Sequence, residues 1–296
     1  MKNSLWIFAL LAVTFTGDRL GGFILQKISE QSHFRYNRLY SGQAESDILL
    51  VGNSRGLMFY QPYIEEKTGK NTFNISYNGM PMSLARVLVE DYLERYEPPQ
   101  QMVLDVTMAD RNNTPLVAGF NFYTAYSDRL EQLMLDSVPK SYWAGKVSHL
   151  YRYNGEVFQR ALYYLKGSDE DWLLDRVITD DLKNSIADRQ LDTITIDQNL
   201  LNDLKATVEA AQARGVDVQL VVNPYFPAYA DKIANLEEFI AQVETATGMS
   251  VHNYSKAVAG VEGFGDFQHL NKAGSRVYID RLLEDALLLE GHIGKR

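Results

Sequence analysis

The chain has 296 residues, 46% of them hydrophobic, enough to bury a large core in one α/β domain that carries an insertion. A net charge of −9 with no basic stripe argues against nucleic acid as a partner, because phosphate binding needs concentrated Lys and Arg. The absence of cysteine removes disulfides, thiolate metal sites and cysteine nucleophiles, and it fits an oxidising or a reducing compartment equally.

After Lys2, residues 4–17 carry no charge until Asp18, which is the polarity of an export signal. A full membrane span needs about 20 apolar residues, and Asp18 and Arg19 interrupt the run before residues 20–25 resume it. No Ala-x-Ala cleavage site follows. Residues 1–25 are therefore read as a signal or uncleaved anchor that touches the membrane and places the rest of the chain in the periplasm or another extracytoplasmic space. The competing reading is a buried or interfacial N-terminal helix of a cytoplasmic protein. Residues 26–45 are polar with scattered aromatics (Phe34, Tyr36, Tyr40) and read as a linker or leading helix. The main domain follows at 46–296.

Residues 47–51 are short, aliphatic and end at Gly52, as a buried parallel strand feeding a turn does. The chain from Leu57 onward reads as helix, which sets Ser54 at a helix start. A second strand is expected at 71–76, then a helix at 83–96 with Leu84, Val87, Leu88 and Leu93 on one face. Residues 101–107 give a third strand and 215–223 a fourth. Residues 112–204 are too long for a simple crossover and read as a largely helical insertion rich in Tyr and Trp. Those aromatics suit a core better than a sugar-binding groove. The insertion's acidic clusters, Asp169-Glu170-Asp171 among them, lack the spacing of a calcium loop and read as a solvated face; no metal or cofactor is expected. Asn271 is a candidate N-cap for a last helix running through Val277, Tyr278, Leu282, Ala286 and Leu289 to Gly291. Strands alternating with helices predict a parallel sheet covered by helices.

Two short motifs at opposite ends of this pattern carry the chemistry. Gly52-Asn53-Ser54-Arg55-Gly56 sets a serine at the carboxyl end of a strand, where open α/β sheets bind ligands, and a helix start there would offer N–H groups to an oxyanion. Asp266-Phe267-Gln268-His269 spaces a carboxylate and an imidazole so that the carboxylate can hold Nδ1 while Nε2 faces a nucleophile. Taken alone, each motif is equally a helix cap or a surface turn. Together they predict a Ser54–His269–Asp266 triad.

These residues resemble the SGNH (GDSL-type) hydrolase superfamily over nearly the whole chain after residue 45. Residues 47–55 resemble its first block, with Asn53 where the nominal pattern has Asp. Gly79 in Asn78-Gly79-Met80 resembles the second-block glycine, and Asp266-Phe267-Gln268-His269 resembles the last block. The resemblance implies a three-layer α/β/α, flavodoxin-like fold and an oxyanion hole built from the N–H groups of Ser54 and Gly79. It also implies an Asn side chain just after the third strand, but Ala109 stands at that position, leaving Asn112 or Asn113 to substitute. Loss of one such donor costs about 100- to 1000-fold in turnover. The expected function is an extracytoplasmic serine esterase or O-acyltransferase acting on an acyl ester, with a cell-envelope polysaccharide as the candidate carbohydrate partner. The alternative, motivated by the missing Asn, is a non-catalytic envelope protein that binds a polysaccharide or an assembly partner on the same scaffold.

Overall fold

In the computed structural model, which describes residues 2–289, the four aliphatic runs form parallel strands β1 (Ile48–Val51), β2 (Thr72–Asn74), β3 (Gln101–Asp105) and β4 (Asp217–Val222). Every residue of β1 and β3 is buried, as strands covered on both faces must be, which is why they read as unbroken apolar runs. A fifth strand, β5 (Val251–Asn253), escapes the sequence pattern. It has one apolar residue in three, and His252 and Asn253 are exposed at the sheet edge. The strand order is β2-β1-β3-β4-β5 with every pairing parallel, the flavodoxin-like arrangement of an α/β fold. Ligands in such sheets bind beyond the carboxyl ends of the strands.

The helices Met82–Arg95, Gln198–Gln212 and Leu236–Thr247 pack together, and Gln61–Thr68 packs with Lys272–Glu284. Right-handed crossovers put the first group on one sheet face and the second on the other, giving three layers. Two expectations need correction. Ser54 does not open an α-helix: a three-residue 3₁₀ turn, Gly56–Met58, follows it, and the helix begins only at Gln61 beside Pro62. The last helix stops at Glu284, where Ala286 takes φ 54° and the Leu287 N–H returns to the Leu282 carbonyl. Gly291 lies outside the described residues.

The chain divides into two units, Met1–Gln43 with Asn113–Asp169, and Ala44–Asn112 with Glu170–Arg296. The second holds the sheet. The first is helical, led by helix α1 (Lys2–Ser29), and its core is aromatic: Tyr36 packs edge-on against Phe34 at 5.1 Å and Phe120 at 4.8 Å. Tyr123, Tyr142 and Tyr164 are buried in it, whereas Trp143, Tyr151 and Tyr163 stay exposed. Asp169 is not part of a solvated face. It is buried against Arg35, accepting the Arg35 backbone N–H at 2.7 Å and Nε at 3.1 Å, because a buried guanidinium requires a carboxylate partner.

Candidate active site

The turn after β1 is built on close approach. A Cβ on Gly52 would stand 2.6 Å from Gly56 Cα, and one on Gly56 would collide with the buried Ser76 side chain, so glycine is required at both ends. Between them Asn53 is fixed in place: its Oδ1 accepts the Arg55 N–H at 2.9 Å, and its Nδ2 donates to Thr107 Oγ1 at 3.3 Å. This leaves Ser54, half-buried, at the carboxyl end of the sheet.

The loop before the last helix presents the partner groups. Asp266 Oδ1 accepts the backbone N–H of Gln268 at 2.8 Å and of His269 at 2.9 Å, and its carboxylate contacts His269 Nδ1 at 2.9 and 3.0 Å. His269 Nε2 lies 2.8 Å from Ser54 Oγ. Burial would raise the Asp266 pKa, but the His269 hydrogen bond and charge and the two backbone donors outweigh it, so the carboxyl sits below its ordinary value. An ionised Asp266 assigns the proton to Nδ1, which leaves Nε2 as the acceptor for the serine hydroxyl.

Beneath the serine runs a buried polar network that joins three strand ends. Asp105, at the end of β3 and fully buried, accepts Thr107 Oγ1 at 2.8 Å, Asn223 Nδ2 at 3.3 Å and Arg55 Nη2 at 3.4 Å. The Arg55 guanidinium stacks 3.7 Å over the Tyr225 ring, with Nε and Nη1 lacking hydrogen-bond partners. Asn223, following β4, donates to the Arg55 carbonyl at 3.2 Å and accepts Tyr278 Oη at 2.6 Å. Sequence reasoning missed Arg55, Asp105 and Asn223 as parts of the site. Their one sequence signal is their place next to the strand ends.

A cleft of about 200 Å³ is lined by Ser54 and His269 together with Trp172, Leu173 and Leu174. This strap runs beside the histidine loop: Lys272 N–H donates to the Leu174 carbonyl at 3.3 Å, and Leu174 Cδ1 stands 2.5 Å from where a Gly265 Cβ would be. Exposed Arg176 adds a cation 3.8 Å from Asp266 and donates from Nε to the Gly265 carbonyl.

Of the oxyanion-hole candidates, Gly79 has φ 68° in the turn after β2, and its neighbour Asn78 lines the cleft. Asn112 and Asn113 are not brought to it. The Asn112 amide donates to Asp197, and the Asn113 side chain caps the helix Thr114–Gly119 through the Leu116 N–H. Among the described residues no group of three His, Asp or Glu side chains is placed to hold a metal ion.

No protein-family model and no curated protein matches this chain. Among solved structures it is similar to a protein of Bacteroides fragilis NCTC 9343 described as a "putative acylhydrolase", at 11% identity and a TM-score of 0.40. The match covers 83% of this chain and 86% of that one, and it is too loose to assign a chemistry.

Proposed function

We propose that the chain is a serine esterase or O-acyltransferase of the SGNH type, acting on acyl esters outside the cytoplasmic membrane. The observation that carries the reading is the unbroken hydrogen-bonded chain from Ser54 Oγ through both nitrogens of His269 to Asp266. Ser54 Oγ attacks the ester carbonyl while His269 Nε2 takes its proton. The tetrahedral intermediate collapses, His269 returns the proton to the departing alcohol, and an acyl-serine remains. Water or a sugar hydroxyl then repeats the sequence in reverse, giving a free acid or a transferred ester. The Ser54 and Gly79 N–H groups hold the oxyanion, with the Asn78 amide at the cleft edge as the side-chain donor in place of the Asn absent after β3. The small, largely apolar cleft suits a short acyl group such as acetyl; drug-sized ligands occupy about 300–1,000 Å³. Helix α1, long and apolar enough over Leu5–Ser29 to cross a membrane and exposed along residues 5–17, supports a membrane anchor.

The test is the purified chain beside its Ser54→Ala variant on p-nitrophenyl acetate, with fluorophosphonate labelling of both. Wild-type turnover and labelling that vanish in the variant support the triad. Equal rates, or no labelling of the wild type, favour the non-catalytic binding protein.

A further inference from the structure

We propose that the helical unit is seated in the lipid interface itself, through Trp143, Val147, Leu150 and Tyr151. The proposal rests on the reading of α1 as a membrane anchor and adds a second lipid-contacting surface. From Leu5, the first residue of the apolar run, Asp18 lies about 20 Å along the helix at about 1.5 Å per residue. The hydrocarbon core is about 30 Å thick, so roughly 10 Å of span lies beyond Asp18. The helix supplies it: Leu20, Phe23 and Ile24 are about half exposed.

Residues 147–150 are bound to that stretch. Asp18 accepts Ser148 Oγ and the backbone N–H groups of His149 at 2.7 Å and Leu150 at 3.1 Å, and Arg19 Nη2 donates to the Val147 carbonyl at 3.2 Å. Gly21 and Gly22 let the two segments touch: a Cβ on Gly22 would stand 2.5 Å from His149 Cβ. Asp18 and Arg19 therefore do not break the span. Their hydrogen-bonding groups are taken up by the chain at 147–150, as irregular backbone at membrane depth requires. What this segment shows to its surroundings is apolar and aromatic: Val147 is 75% exposed, Trp143 58%, Leu150 44% and Tyr151 38%. Trp and Tyr favour the boundary between hydrocarbon and headgroups, and a patch continuous with a lipid-covered helix has lipid as its occupant.

The cysteine-free sequence makes the test clean. Single-cysteine variants of the full chain, Leu10→Cys, Val147→Cys and Tyr163→Cys, are labelled with a fluorophore and reconstituted in phosphatidylcholine–phosphatidylglycerol vesicles with or without a lipid carrying a shallow nitroxide. Tyr163 is the control. It is exposed, and its neighbour Tyr164 binds His33 beyond the far end of α1, roughly 20 Å along the axis from Asp18. The Leu10 and Val147 positions are expected to lose about half of their emission or more, and Tyr163 to lose little. Quenching at Leu10 with Val147 no more quenched than Tyr163 overturns the seat and leaves the anchor standing. Absence of quenching at all three overturns the anchor reading and the seat with it.

Discussion

Replacing Asp266 by Asn separates the roles of this residue. An Asn oxygen in the Oδ1 position keeps the Gln268 and His269 backbone N–H bonds, so the loop should fold with a change in stability of about 1 kcal/mol or less. The amide nitrogen then lies where Oδ2 stands, 3.0 Å from His269 Nδ1. Oδ1, 2.9 Å from Nδ1, already accepts two backbone N–H groups, so an amide N–H facing the ring favours the tautomer protonated at Nε2, the atom 2.8 Å from Ser54 Oγ, which can then no longer accept. The corresponding change in a serine protease lowers kcat about 10⁴-fold, and at ~1.36 kcal/mol per decade that is roughly 5.5 kcal/mol of barrier. The assay is p-nitrophenyl acetate turnover, with thermal melting to confirm the fold. An Asn variant within about tenfold of wild type, equally well folded, would refute the claim that Asp266 sets the histidine tautomer.

The folded Asp266 pKa lies below the ordinary 3.8, so its contribution to stability is present above that value and lost as the pH falls through the lower folded value. Urea midpoints of wild type and Asp266→Asn should differ by a constant amount above about pH 5 and converge in strong acid; a gap that widens on acidification has the wrong sign. Arg55→Met leaves Asp105 buried without its cation and should cost about 3–5 kcal/mol in urea unfolding, with Arg55→Met/Asp105→Leu recovering part of the loss. Leu174→Ala enlarges the cleft, and kcat/KM across p-nitrophenyl acetate, butyrate and octanoate should shift toward the longer acyl chains; an unchanged profile would remove Leu174 from the acyl pocket. Asn78→Ala should lower kcat about 100- to 1000-fold with little change in KM if its amide is an oxyanion donor.

The parts of the fold legible in the sequence are those whose burial is uniform. β1, β3 and β4 announce themselves because both sheet faces are covered, while β5 at the open edge keeps a polar composition that only its pairing with β4 explains. The chain from Leu57 reads as helix, yet the close approach of Gly52 and Gly56 holds it in a tight 3₁₀ turn, and the helix starts only at Gln61 beside Pro62. Ser54, Asp266 and His269 were legible because each sits beside an element boundary. Arg55 was not: a charged residue after a serine reads as surface, and its burial follows only from Asp105, fifty positions away. Asp18 reads only as an interruption of the apolar run, because the donors at 148–150 that it accepts lie far along the chain.

Ser54 and His269 are separated by 215 positions, and the network beneath them draws together the ends of β1, β3 and β4. Contacts of such long sequence separation carry a large loop-closure cost, which slows folding. Fluorophosphonate reactivity should therefore return on refolding only together with the assembled sheet. A nick or destabilising change far from the cleft would register there first as lost labelling, which makes the serine a reporter on the integrity of the whole sheet.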